Sequence, residues 1–373
     1  MRQVRLITQT DEFEGLSGAW RSLCSSDLMR SWEFQRCWRE HFAPQDPLRI
    51  LVCEERGEIV GILPLVEQKR IWTGRTLVNF GSGKACLDDL GIIAHPESAV
   101  RAGQDFATFL LESKELPWDY IDLEGIRRSD LPMQAFADAL LSSNPDCLER
   151  RPSPSCWAIE LKEEVDGCHA WSKRMRTMMR KAREELKRGD FHLNIARTAK
   201  EAIEELKVME EIHQARWKDR GVEGCFSNDS FAEFTREIID TTCDAGKSFV
   251  AILRWQGTPA AGAICFIDST TLYVYLASMA PGFSERKPGW KLNGFLAEYA
   301  LRCGYTRFDF MRGDEEYKQR MGATPSIQER WMISSPRFLG RVRRTLYRTA
   351  REIKHFIIIP TVPAAVPQPS TTV

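Results

Sequence analysis

The chain has 373 residues, room for two to three domains at about 150 residues each. Fifty-two Lys and Arg balance 52 Asp and Glu, while 43% hydrophobic and 10% aromatic residues can fill a large core. This argues against disorder, collagen-like repeats and a dedicated nucleic-acid binder, and no apolar run reaches the roughly 18 residues that span a bilayer.

The N-terminal MRQVRLITQTDEFEG meets acidic residues before an apolar stretch forms, so it does not read as a secretory signal. A soluble, cytoplasmic protein is expected. Its eleven cysteines are odd in number, spread along the chain and without a C-x-x-C pair, and its six histidines are equally scattered. Reduced thiols and no metal are the expectation.

From Leu48, RILVCEERGEIVGILPLV predicts a hairpin turning at Arg56-Gly57-Glu58. RTLVNFGSGKACLDDLGII is a second extended run, followed by a helix around Phe106 to Leu111 and a short buried strand in WDYIDLEGI. Gly81-Ser82-Gly83-Lys84 lacks both a dinucleotide fingerprint and a P-loop, and reads as a strand connection. NPDCLERRPSPSCW (144–157) concentrates Pro, Ser and charge, and the boundary between two domains is expected at 145–160.

WSKRMRTMMRKAREELKRG (171–189) predicts an amphipathic helix with eight Lys and Arg against two Glu. It is either a solvated face or an electropositive wall, carried by Arg176 and Arg180 among others, that attracts an anionic substrate. In the next helix, about Ala199 to Trp217, the spacing puts Leu206, Met209, His213, Trp217 and Arg220 on one arc, with Arg216 at its edge. These polar groups meet carboxylates inside the fold, line a cleft, or, for His213, form a satisfied core histidine.

SFVAILRWQGTPAAGAICFI is a second hairpin, turning at Gln256-Gly257, and TLYVYLASMAP is the next strand. A helix from about Pro288 to Cys303 and the strand TRFDFM complete the same order seen in the first half: hairpin, strand, helix, strand. Pro288 suits a first helical turn, and its free N–H groups, with Gly289, Lys287 and Lys291, outline a phosphate cradle. In DFMRGDEEYKQRMGA (309–323), Asp309 alternates with Phe308 and Phe310 and should face away from both. Tyr317 could donate a proton and Lys318 hold an anion, although DEEYK is also ordinary surface-helix composition.

Together these segments resemble the GNAT acyltransferase superfamily, in particular its CelD-like branch (cellulose-biosynthesis acetyltransferases), itself similar to the Fem-type aminoacyl transferases. The resemblance rests on the Arg-rich helix (Lys173, Arg174, Arg176, Arg180), I-H-Q-A-R-W-K-D-R-G (212–221) and G-T-P-A-A-G-A (257–263). It extends to P-G at 288–289, D-F-M-R-G-D-E-E-Y-K (309–318), S-W-E-F-Q-R-C-W (31–38) and G-I-L-P-L (61–65). The usual Q/R-x-x-G-x-G/A pyrophosphate loop is replaced by E-R-K-P-G-W.

The resemblance implies an α/β (α+β) fold of two tandem GNAT-like domains, each a mixed, mostly antiparallel sheet flanked by helices. Residues 1–150 would shape the acceptor cleft, 151–335 would bind the acyl donor, and 336–373 would form a basic amphipathic helix and Pro-rich tail. It implies transfer of an acyl group, acetyl foremost, from acyl-CoA to an amine or hydroxyl. Backbone near Leu276, Ala277 and Ser278 would polarise the thioester, and Lys287, Pro288, Gly289 and Lys291 would hold the pyrophosphate. His213 and Asp309 are the base candidates and Tyr317 the acid; Arg176, Arg180, Arg216, Trp217, Arg220, Arg312 and Lys318 are candidates for contacting substrate. The branch suggests a small-molecule or glycan acceptor, such as a lipid-linked sugar, in exopolysaccharide or cell-envelope assembly, with no specific nucleic-acid partner. Aminoacyl transfer from charged tRNA and a non-catalytic scaffold of a polysaccharide-synthesis complex stay open.

Past residue 335, Leu339, Val342, Leu346, Ala350 and Ile353 form one stripe, and six Arg from Arg337 onward plus Lys354 oppose one Glu. Such a segment suits either the inner face of an anionic membrane, over 338–356, or docking on its own domain.

Overall fold

The computed structural model describes residues 2–24, 27–164 and 167–337. The basic segment 338–356 and the Pro-rich tail lie outside the described residues. The first half runs β1 (Arg2–Ile7), α1 (Thr10–Gly15), α2 (Ser17–Leu23), α3 (Trp32–Phe42), β2 (Ile50–Glu55), β3 (Glu58–Leu63), β4 (Leu65–Arg70) and β5 (Gly74–Asn79). It continues with β6 (Ile93–Ala94), α4 (Ala99–Glu112), β7 (Tyr120–Arg127) and α5 (Leu131–Ser143). Then come β8 (Leu148–Glu160), β9 (Glu163–Glu164), β10 (Gly167–Cys168), α6 (Lys173–Lys187), β11 (Phe191–Ala196), α7 (Ala199–Asp219) and α8 (Asp229–Cys243). The chain closes with β12 (Ser248–Trp255), β13 (Thr258–Ile267), β14 (Thr271–Met279), α9 (Pro288–Arg302), β15 (Arg307–Arg312), α10 (Glu316–Arg320) and β16 (Thr324–Ser334). No helix of the described residues is long and apolar enough to cross a membrane.

The two hairpins are built alike. In each, two residues with positive φ make the turn, Arg56 and Gly57 (56° and 86°) and Gln256 and Gly257 (45° and 84°). Both central residues must be left-handed for a two-residue turn to follow the strand twist. Each hairpin also carries a bulge just before the turn, at Cys53/Glu54 and at Leu253/Arg254.

The strands form a four-stranded sheet, β1-β2-β3-β6, and a ten-stranded one, β11-β12-β13-β14-β15-β8-β16-β7-β5-β4. The pairings are mostly antiparallel; β14–β15 and β5–β7 are parallel. The segment expected to separate the halves is instead strand β8, which pairs β15 at Cys156–Glu160 and β16 along its length. Its Pro152 and Pro154 lie where only β16 flanks the strand, so their missing amides face an open edge. The last strand, β16, sits between β8 and β7 and so completes the sheet of the first half.

Three apolar clusters follow from this layout. One lies under α4 and α5 against β7 and β16, around Phe106, Phe136, Leu123 and Trp331. A second packs α6 and α9 on one face of β12–β15, including Met175, Met179, Leu292, Phe308 and Phe310. The third fills the opposite face with α7 and α8 and continues into the first half through α3. There Phe34 meets Phe266 edge-on at 4.8 Å and Phe42 meets Phe234 at 5.5 Å. Burying each such ring contributes roughly 1.5–3 kcal/mol. Shared apolar packing therefore joins the halves.

Candidate active site

β14 and β15 run parallel through three register pairs only, ending at Tyr273↔Asp309. Beyond that point β14 continues through residues 274–279 paired to β13 alone, with a bulge at Tyr275. The strands part, and alternate backbone amides around Leu276, Ala277 and Ser278 face the gap without a strand partner. The Ser278 hydroxyl is buried with no hydrogen-bond partner among the described residues. A buried polar atom left unpaired costs about 1–3 kcal/mol, which a bound ligand could recover.

α9 starts beside this gap. Lys287, at its N-cap, is left-handed (φ 52°), and Pro288 sets the first turn. The amides of Gly289 and Trp290 donate to no acceptor among the described residues, and a Cβ placed on Gly289 would meet nothing within 4 Å. The helix start is open and carries the positive end of its dipole. Lys291 does not contribute to it as expected. Its Nζ is buried, bonds Glu185 of α6 at 2.5 Å and lies 4.4 Å above the Phe191 ring.

Tyr317 is wedged between Trp290 of the first turn of α9 (6.1 Å between ring centroids) and Phe310 (5.9 Å). Its hydroxyl has no hydrogen-bond partner among the described residues, and burial pushes its pKa up, so it stays protonated. From the other face of the sheet, the end of α7 brings Arg216 into electrostatic range of Tyr317 and Glu315. The Arg216 Nε is buried without a hydrogen-bond partner among the described residues. Burial and the neighbouring Arg220 lower its pKa. Arg220 is exposed and lies 5.5 Å over the Trp217 ring.

The base candidates sit differently. His213 is buried, as the periodicity of α7 requires. Its Nε2 accepts from Trp217 Nε1 at 2.8 Å and its Nδ1 faces Gln214 Oε1 at 3.3 Å, a pairing that requires the Nδ1–H tautomer. The Nε2 lone pair is therefore taken, and burial lowers the ring's pKa. Asp309 faces away from Phe308 and Phe310, which pack against α9. Its Oδ1 accepts from the Met311 amide at 2.7 Å and its Oδ2 lies 3.2 Å from Arg307. Burial pushes its pKa up to about 6 despite that arginine.

Three expected substrate contacts are committed elsewhere. Arg312 holds Asp88 through Nε (2.5 Å) and its amide (3.0 Å) and donates to Leu87 O. Lys318, 2% exposed, bonds the carbonyls of Met311, Arg312 and Gly313 at 2.8–3.1 Å, with Glu315 at 3.0 Å. It staples the turn that presents Tyr317. Arg176 donates to the carbonyls of Trp171 and His169 at the start of α6, whereas Arg180 is exposed.

Sequence reasoning missed the loop 81–91, read only as a strand connection. Ala85 O accepts from Tyr275 OH at 2.5 Å and Asp88 receives Arg312, so the loop packs against the parted strands from the first half. Two clefts, of about 500 and 320 Å³, lie elsewhere, one beside Asp46, Glu67 and Arg70 and the other between α2–α3 and Lys247.

Parted parallel strands with a helix starting beside them invite comparison with known domains. Residues 172–319 match the family described as "Acetyltransferase (GNAT) domain". The matched segment spans α6 to α10 and so contains the gap, the α9 start and Tyr317. No curated protein sequence matches the chain. Among solved structures, "Crystal structure of FemX" shares the fold over 92% of this chain and 99% of that one, at 13% identity and TM-score 0.61. The C-terminal domain of a putative lysylphosphatidylglycerol synthetase from Agrobacterium fabrum covers 85% and 95%, at 11% identity and TM-score 0.51. A conserved protein of unknown function from Bacteroides thetaiotaomicron covers 89% and 100%, at 11% identity and TM-score 0.52. The match supports the acetyltransferase superfamily at large and does not single out the CelD-like branch.

Proposed function

We propose that this chain transfers an acyl group, acetyl foremost, from acyl-CoA to an amine or hydroxyl, with the thioester lying in the gap between β14 and β15. The parting of these strands after Tyr273↔Asp309, within the GNAT segment, carries the reading. Acyl-CoA is a co-substrate, and three features of the chain suit it. The open α9 start would receive the pyrophosphate, unpaired β14 amides would stabilise charge on the thioester oxygen, and Tyr317 would protonate the departing thiolate.

Attack requires the acceptor to lose a proton. A carboxylate has about four lone-pair sites, so Asp309 keeps spare capacity after its bonds to Met311 and Arg307, whereas the Nε2 of His213 does not. With a pKa of about 6, Asp309 is ionised at neutral pH and matched to accept a proton, directly or through one water. Arg216 and Arg220, beside Trp217, would bind an anionic group on the acceptor or donor; a glycan acceptor carrying such a group, in envelope or exopolysaccharide assembly, fits this chemistry.

The test is calorimetric titration with acetyl-CoA and longer acyl-CoAs, followed by thiol release in the presence of candidate acceptors. Binding of a CoA thioester and its loss on Gly289→Glu, which puts a carboxylate at the open helix start, are expected. The fold shared with FemX favours a second reading, in which the donor is an aminoacyl-tRNA. Binding of charged tRNA with no response to any acyl-CoA would select it, and no response to either would select the scaffold.

A further inference from the structure

Outside this site, the packing of α3 from the first half on α8 from the second brings together side chains that lie far apart in sequence. Cys37 and His41 are one helical turn apart on α3, and Glu233 and Glu237 one turn apart on α8. His41 Nε2 lies 2.6 Å from Glu237 Oε2, and its Nδ1 lies 3.7 Å from Glu233 Oε2. Ligand atoms of Cys37, His41 and Glu237 all fall within 4.8 Å of one another, the one such group among the described residues. Cys37 is buried, and among the described residues its thiol makes only a long contact, 3.7 Å, to Phe234 O. Arg36 and Glu40 flank the cluster, with Arg36 3.8 Å from the other oxygen of Glu237.

We propose that Cys37, His41 and Glu237 form a zinc site that ties the two halves together. Sulfur, nitrogen and oxygen donors in one cluster suit Zn²⁺, with bonds of about 2.3 Å to sulfur and 2.0–2.2 Å to the others. Tetrahedral ligands then stand about 3.3–3.8 Å apart, so His41 Nε2 and Glu237 Oε2, now 2.6 Å apart, must separate to admit the ion. The metal enters as the Cys37 thiol proton leaves to solvent; a neutral His41 then carries its one ring proton on Nδ1 and frees Nε2 for the ion, so one proton is released for each metal bound. His41 binds through Nε2, while Glu233 receives Nδ1–H and fixes the ring, the usual outer partner of a metal-bound imidazole. Three protein ligands leave a fourth position for water.

The full chain, freed of metal by chelation and kept reduced, is titrated with Zn²⁺ by calorimetry and with Co²⁺ by absorption. One equivalent of Zn²⁺ bound with sub-micromolar Kd, a higher melting temperature, and a thiolate-to-cobalt charge-transfer band are expected. Cys37→Ser should remove the band, His41→Gln should weaken binding at least about 10-fold, and Glu233→Gln about 10-fold or more. His41 is partly exposed, so its variant keeps the test available if Cys37→Ser does not fold. Binding that is absent, or unchanged in His41→Gln, overturns the proposal; the latter result would mean that other thiols hold the metal.

Discussion

Arg312→Ala separates a structural role from a substrate-binding one. The guanidinium and the Arg312 amide hold Asp88, which is 3% exposed, and burial already raises the Asp88 pKa above its ordinary value with the arginine in place. Removing the cation leaves a buried carboxylate uncompensated, a loss of about 3–5 kcal/mol. For a chain of this size that lowers the melting temperature by roughly 5–15 °C. An acid whose folded pKa exceeds its unfolded one holds its proton more firmly when folded. Its contribution to stability is therefore lost as pH rises through that window. In the variant the window moves up, so the deficit against wild type should be largest at alkaline pH and shrink as the solution is acidified. Differential scanning calorimetry across that pH range measures both. A variant melting within about 2 °C of wild type at pH 8, with only a raised KM, would refute the clamp and return Arg312 to the substrate.

Three further outcomes are expected. Wild-type kcat/KM for acyl transfer should fall below a pH of about 6, and Asp309→Asn should flatten that limb and cost about 10²–10⁴ in rate, while His213→Gln stays within about 10-fold. Near wild-type turnover in both variants would remove the base and leave positioning alone. Arg216→Ala should raise the KM of an anionic substrate by roughly 10–100-fold, the loss of a charged hydrogen bond, with a far smaller change in thermal stability. Gly103→Ala should destabilise by about 1–3 kcal/mol or more in urea unfolding, because its Cβ would stand 2.2 Å from Pro132 O where α4 crosses α5.

Local chemistry made much of this fold legible in the sequence. The paired hairpin turns, the Pro-led start of α9, the buried arc of α7 from Leu206 to His213 and the placing of Asp309 opposite Phe308 and Phe310 follow from turn residues and periodicity, which act over a few residues. Partners were a different matter. Lys318, Lys291 and Arg312 looked like free cations because their carbonyls and carboxylates lie on other turns, helices or the other half. The Pro-rich stretch before Trp157 looked like a linker because only the sheet shows that its prolines face an open edge. β16 lies beside β7 and β8 through pairings such as Thr324↔Ala158 and Ser334↔Tyr120, far apart in the chain, which no local pattern encodes. The meeting of Cys37 and His41 with Glu237 belongs to the same class. Sequence alone determined the two hairpins, the strand TRFDFM and the helices led by Ala199 and Pro288, because turn chemistry, backbone preference and periodicity are short-range. Tertiary packing decided which charges were neutralised and which stayed open at the gap, because electrostatic pairing depends on distance in space.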